Sequence, residues 1–548
     1  MNIAKLVDKA AIPVLLTTAV MLSALLLPKL SKTITDWWQR VVQRRALCVV
    51  LVAAAPIVIR LSLLPWQPEP VPHVHDEFGH LLAGSTLAEG RLANPPHVLA
   101  RHFESIYVLQ EPSYASTYPL GQGLSLALGQ RVTGHPWAGV LLSAALMSGA
   151  ITWMLFGCLP PGWAVVGGLL AGLHFSFDEH WINSYYGGSV SAAGGALVFG
   201  ALVRLRRAPS IGLAIALGTG WAMVLHTRPF ESVFLYVLAW GSIAFFVAHD
   251  VSRMRWLRPV IVIAVLQILA GCLTLAHDRA VTGSFIKLPY SLLQEQYGVP
   301  PGLLIQRSVA PSKQLLPEQA KLYELQQGMK DNSEKEPTRH IIDKLQQTWR
   351  SFVTPWYTIP FILLLLVRTR EVAAGVSVVL MALVASALYP YFFARYFAHY
   401  ACIFFFLIAC GLMRLWQVSI AGAPIGPALA ILFMLGGATM AVRTPPAQTA
   451  PGPRHEVLTR LLKSGGRHVV FVRYGSDHSI HDEWVYNAAN IDASPVIWCR
   501  TFGDAVDDEV TRYYPGRQAW LVDVSAGGAR VARYQPGASL EPMFVVVP

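Results

Sequence analysis

The stretch "ALCVVLVAAAPIVIRLSLLPWQPEPVPHVHDEFGH", Ala46 to His80, changes character twice. Up to Leu64 it is an apolar run, and a helix needs about 20 such residues to cross a hydrocarbon core. A proline-rich hinge follows. Then three histidines, an aspartate and a glutamate fall within eight residues, His73 to His80. A chain that leaves a membrane and at once presents titratable groups puts its chemistry at the membrane surface.

The rest of the chain has the same greasy character. Hydrophobic residues make up 54% of its 548 positions and charged residues only 14%. Soluble domains carry about a quarter charged residues. The apolar residues fall in blocks at 11–28, 46–64, 136–157, 162–177, 189–203, 211–225, 231–248, 259–276, 355–367, 372–389, 398–413 and 424–442. This predicts an all-α polytopic membrane protein with 11–12 transmembrane helices. The net charge of +11 sits largely in short loops, where it sets orientation, so it is no footprint for nucleic acid. The six cysteines have no spacing of a disulfide framework or zinc knuckle.

Short-loop cations divide the chain into two sides. Lys29, Lys32, Arg40, Arg44 and Arg45, then "RLRR" (204–207), "SRMRWLR" (252–258), "RTR" (368–370) and Arg414 all fall on one side, which the positive-inside rule makes cytoplasmic. The other side receives the long segments 65–135, 277–354 and 443–548. In the first, "FGHLLAGSTLAEGRL" and "PLGQGLSLALGQRV" have helical spacing but are too short and polar to span, and they predict surface helices. The tail follows a linker, "RTPPAQTAPGPRHE". Its runs "RHVVFVRY", "SPVIWCR" and "QAWLVDV" read as strands, with a helix at 504–514. The domains expected are therefore an N-terminal anchor with a basic segment (1–45), a transmembrane catalytic domain (46–442) and a small extracytoplasmic α/β domain (443–548).

In "HVHDEFGH", His75 and His80 are five apart, about 140° round a helix, which defeats the paired ligation of a zinc-protease motif. A divalent metal held by His73, His75 and Glu77 in extended chain is the weaker alternative. Asp76 and Glu77 form an acidic pair just outside the membrane, where partial desolvation raises a carboxyl pKa and suits it to accept a proton. The competing role for Asp76 is to cap the helix that follows. Arg228 in "HTRPFE" and Arg395 in "YPYFFARYFAHY" break the charge bias and lie against apolar spans, where a cation needs a partner. An arginine fork suits phosphate, and the competing role is snorkelling to lipid headgroups. Lys287 in "FIKLPY" is a further phosphate candidate. "FDEHWINSYYGG" adds Asp178 and Glu179 on the same side.

The acidic pair in "HDEFGHLLAG", with "TGSFIKLPYSLLQEQYG" and "ARYFAHY", resembles the C-type (GT-C) integral-membrane glycosyltransferases over 46–442. The likeness is greatest to the branch of protein O-mannosyltransferases and lipid A aminoarabinose transferases. The resemblance implies an inner-membrane enzyme that moves a sugar from a polyprenyl-phosphate donor to a hydroxyl of a cell-envelope acceptor, with inversion, on the outer face. It implies Asp76 as the base with Glu77 beside it, and Arg395, Arg228 and Lys287 on the donor phosphate. His80, Tyr118, Asp178, Glu179 and His399 are then the candidates for acceptor or sugar contacts. The donor substrate is a polyprenyl-phosphate sugar, and a divalent metal is the one cofactor that the sequence leaves open. The partners are that lipid-linked donor, membrane lipids and the acceptor. A transporter or flippase of a lipid-linked saccharide is the alternative function; it would account for the arginines but not for an acidic pair in a long structured loop.

Overall fold

The computed structural model describes residues 3–176, 181–300, 302–443, 452–536 and 543–547. Each predicted apolar block carries a helix, from Ile3–Leu26 to Gly426–Arg443. Among the described residues, six are long and apolar enough to cross a membrane on their own: Arg45–Ser62, Trp137–Leu155, Gly188–Leu205, Pro229–Ala248, Arg253–Thr282 and Ala394–Trp416. The basic stretch after the first block departs from the expected open loop. Pro28–Gln43 is a helix, bent 107° from residues 11–26 at Leu27. Trp37, Arg40 and their neighbours give it an apolar and a basic face, the pattern of a helix lying on a membrane surface.

The spans pack through small residues, as lipid-embedded helices do when backbones must approach closely. Gly195 shows how this positions the site. A Cβ there would fall 1.8 Å from the carbonyl oxygen of His399. Only glycine lets the 3-10 turn Ala394–Tyr400, which carries Arg395, seat against the helix Gly188–Leu205.

The long segments gather at one end of this bundle. His75–Ala88 and Leu120–Thr133 are the two short helices expected in the first. Pro289–Tyr297, Pro317–Lys335 and Pro337–Thr348 supply the second. The tail forms a five-stranded sheet. His468–Tyr474 lies between Val496–Arg500 and Gln518–Ser525, parallel to both, and Gly528–Arg533 and Phe544–Val546 continue it antiparallel. Part of the expected linker is ordered as the helix Pro453–Ser464.

The central strand is buried on both faces, so its residues divide between two cores. Val470 and Val472 pack with Val457, Leu461 and Trp484 of the tail itself. Val469 and Phe471 pack with Leu82, Leu99, Phe103, Val108 and Tyr114 of the first long loop. The tail is therefore not tethered at a distance: it shares a core with the loop that carries "HVHDEFGH". Phe78 stacks on Tyr486 at 4.6 Å, and the Arg454 guanidinium lies 4.8 Å from the Phe78 ring centre. The Ala489 N–H donates to the Ser85 hydroxyl at 3.0 Å, and Arg500 Nε donates to the Glu104 carbonyl at 2.6 Å.

Candidate active site

The route from the second span to the site is fixed by a buried arginine. Arg60 donates to the carbonyls of Gln67 (2.8 Å) and Pro68 (2.7 Å) and to Asn183 Oδ1 (2.6 Å). Its guanidinium also lies 4.7 Å from the Trp137 ring centre. These bonds neutralise the polar backbone of the proline hinge where it leaves the bundle.

The helix after the hinge begins at His75, with Val74 as its N-cap, so Asp76 lies inside the first turn and is not the cap. Glu77 does the reaching back. Its carboxylate accepts from the N–H groups of His73 (3.2 Å), Val74 (3.4 Å) and Tyr185 (3.2 Å), and it is 1% exposed. Burial pushes its pKa up, against His73 and the three amides. Glu77 thus clamps the loop and does not line the cavity beside it.

That cavity, about 490 Å³, is bordered by Asp76, His75, His80, Tyr107, Tyr118, Tyr186, Arg228, Tyr290, Arg395, Tyr396 and His481, among others. It brings together seven of the residues singled out in the sequence: His73, His75, Asp76, His80, Tyr118, Arg228 and Arg395. Lys287 is apart, exposed and paired with Glu295. His399 is wholly buried beneath the 394–400 turn and does not border the cavity. Asp178 and Glu179 lie outside the described residues.

Asp76 is the cavity's carboxylate, with its side chain 23% exposed. The Tyr118 hydroxyl donates to Oδ1, and His75 Nε2 stands 3.4 Å from Oδ2. Burial alone would raise its pKa, but His75, Arg395 and the Tyr118 hydroxyl outweigh it and hold the group below the ordinary carboxylate range. The raised value expected from the sequence is therefore reversed, because the buried carboxylate here faces a guanidinium, an imidazole and a hydroxyl donor. Burial takes His80 down to about 3, so that imidazole is neutral at physiological pH. Tyr118 is pushed well up by burial and by Asp76, so its hydroxyl keeps the proton it donates.

Across the cavity stand the two arginines, 167 positions apart in sequence. Arg228 precedes the helix Pro229–Ala248, its guanidinium 4.4 Å from the Tyr396 ring centre. Arg395 lies 4.3 Å from the Tyr186 ring and 4.5 Å from the Phe393 ring. Among the described residues, no carboxylate comes within salt-bridge distance of either. Aromatic faces hold the cations in place and leave their forks for a ligand. Also among the described residues, no three His, Cys, Asp or Glu side chains converge as metal ligands.

The aromatic lining was not legible in the sequence. Tyr107, Tyr186, Tyr290 and Tyr396 are not singled out there by any motif or spacing. Tyr107 carries one local mark, a backbone φ of 61°, uncommon for a bulky residue. Nothing in the sequence links His481, more than 400 positions away, to His75; only the packing of the tail brings them together.

No family model matches the chain, and no curated protein matches it. Among solved structures it is similar to crystal structures of ArnT from Cupriavidus metallidurans, one in the apo state and one bound to undecaprenyl phosphate. Each is 12% identical, with 87% of this chain and 92% of that chain covered and a TM-score of 0.47.

Proposed function

We propose that the protein is an inner-membrane glycosyltransferase that takes a sugar from a polyprenyl-phosphate carrier and passes it to a hydroxyl acceptor on the outer face. The observation that carries this reading is the cavity between span ends: an ionised carboxylate, Asp76, faces two guanidiniums that, among the described residues, have no carboxylate within salt-bridge distance. The arginines suit the phosphate of a carrier whose hydrophobic tail stays in the bilayer. Undecaprenyl phosphate, the ligand named for ArnT, is a carrier of this kind.

In this mechanism the acceptor oxygen attacks the anomeric carbon from the side opposite the phosphate. The new carbon–oxygen bond forms as the carbon–phosphate-oxygen bond breaks, and the configuration inverts. The electron pair of the broken bond stays on the phosphate, where Arg395 and Arg228 hold the growing charge. The acceptor proton passes to Asp76. A carboxylate with a lowered pKa is a weak base, so it takes the proton late, once bonding to carbon has made the acceptor oxygen acidic. Tyr118 keeps the receiving oxygen aimed into the cavity. Glu77 fixes the backbone on which Asp76 stands.

The test is transfer from a lipid extract of a strain that lacks the protein, in which unused donor accumulates. Mass spectrometry of envelope lipids, glycans and proteins, compared with the parent strain, identifies the missing sugar and its acceptor. An unchanged envelope together with altered transport of a lipid-linked saccharide would favour the flippase reading instead.

A further inference from the structure

Five aromatic rings border the cavity in succession. Ring centres are separated by 5.9 Å from His481 to His75, 5.1 Å from His75 to Tyr107, 5.7 Å from Tyr107 to Tyr118 and 4.2 Å from Tyr118 to His80. The cavity thus has two kinds of wall. One is cationic and comes from the span ends at Arg228 and Arg395. The other is aromatic and comes from the first long loop and the tail. Asp76 stands where they meet, bonded to Tyr118 and adjacent to His75.

Nothing assigned to the phosphate or to the base requires His481. It is exposed, whereas the His75 ring it stacks on is buried, with their planes 27° apart. The loop that carries it is pinned to the site. The Glu483 N–H donates to the His73 carbonyl at 2.9 Å, and the Glu483 carboxylate accepts from the Tyr474 hydroxyl at 2.5 Å and lies 3.6 Å from Arg500. A ring held this firmly at the mouth of a cavity is placed to meet whatever enters from solvent.

We propose that His481, backed by the buried His75 ring, is the acceptor-side positioning residue of the site, receiving the apolar ring face of a saccharide acceptor so that one of its hydroxyls points at Asp76. This rests on the glycosyl-transfer reading above. Aromatic faces are electron-rich, and the C–H groups on one face of a sugar ring are weakly positive, so the two stack. The wall also presents an imidazole nitrogen, His80 Nδ1, that is buried with no hydrogen-bond partner among the described residues. A sugar hydroxyl would satisfy it. A peptide would instead bring a series of backbone amides to ring faces that cannot pair with them.

The experiment uses the full-length purified enzyme, donor extracted from the strain lacking the protein, and membranes of that strain titrated as acceptor. With His481→Ala, the amount of membranes that half-saturates the reaction should rise roughly 3- to 10-fold, the size of one aromatic contact. The maximal rate, the melting temperature and the affinity for undecaprenyl phosphate should stay near wild type. His481→Phe should restore most of the loss. An unchanged half-saturation in His481→Ala would overturn the assignment, and so would a parallel loss of undecaprenyl phosphate affinity. Periodate treatment of the acceptor membranes, which cleaves sugar diols, should abolish transfer, and protease treatment should not; the reverse would identify a polypeptide acceptor and overturn the saccharide assignment. Asp76→Asn in the same assay keeps the two ideas apart: wild-type turnover there ends the transfer mechanism, whatever His481 does.

Discussion

In the proposed mechanism Arg395→Gln removes a cation from the place where donor phosphate and base are both within its field. At about 4 Å and an effective dielectric constant near 20, one charge pair is worth about 4 kcal/mol before the phosphate's lost hydration is counted. A charge-assisted hydrogen bond carries about 1.5–3 kcal/mol net. Taking roughly 3–4 kcal/mol for the lost interaction, affinity for undecaprenyl phosphate should fall about 100- to 1,000-fold. Arg395→Lys keeps the charge but loses the fork and the contacts with Tyr186 and Phe393, each within 4.5 Å of the guanidinium. Those contacts are worth about 1–2 kcal/mol together, so the lysine variant should lose roughly tenfold or somewhat more. The substitution also reaches Asp76. Its pKa is held low, so the carboxylate stays charged until the pH falls through that lowered value, and activity is lost on the acid side only there. Without Arg395 one of the influences holding the value down is gone, and the acid limb of the pH–rate profile should move to higher pH. Ligand binding to purified protein in detergent, followed by calorimetry, gives the first measurement, and transfer rates across pH give the second. A glutamine variant that binds undecaprenyl phosphate like wild type, with an unmoved acid limb, would show that Arg395 merely sits under lipid headgroups.

Asp76→Asn should lower turnover by about 10²–10⁴-fold at unchanged melting temperature, because it keeps shape and removes proton acceptance. Glu77→Gln should act differently: it weakens the clamp on His73, Val74 and Tyr185, so the melting temperature should drop along with the rate. A chain ended before Pro453 should fail to give a monodisperse, folded product, since it strips the cover from Leu82, Phe103 and Phe78; size-exclusion chromatography checks this, and a well-folded truncation that still binds donor would contradict the shared core. A reporter fused after Pro548 should register outside the cytoplasm and one near Arg206 inside; a cytoplasmic signal from the C-terminal fusion would defeat the outer-face mechanism.

What was legible in the sequence follows the reach of each signal. Hydropathy marks each span because lipid solvates a helix over its own length, so the block 211–225 and the helix Ile211–Leu225 coincide. Strand alternation and turn residues located His468–Tyr474, Val496–Arg500 and Gln518–Ser525. Gly528–Arg533 and Phe544–Val546 were missed: they are short, and the first carries two arginines in six residues. Asp76, Arg228 and Arg395 stand out because a charge beside a membrane is costly, and the structure places all three on one cavity. Glu77 stood out for the same reason and turned out to spend its charge on backbone amides. Two of its partners, the His73 and Val74 amides, are local and place it as the reaching-back third residue of the helix; the third, the Tyr185 amide, comes from a distant loop. The tyrosines were invisible for a related reason: a membrane protein has aromatics at every interface, and only their convergence distinguishes these.

The core shared by the first long loop and the tail also bears on biogenesis. Ser85 and Ala489 are 404 residues apart, and the bond between them closes only after every intervening span and most of the tail have been made. Until then the loop has no partner for Phe78 and the cavity lacks its His481 wall. A nascent or prematurely terminated chain therefore carries every arginine of the site and no finished pocket, while exposing an apolar surface that quality-control proteases can recognise. On the proposed function, assembly order alone would keep the protein inactive until its synthesis is complete.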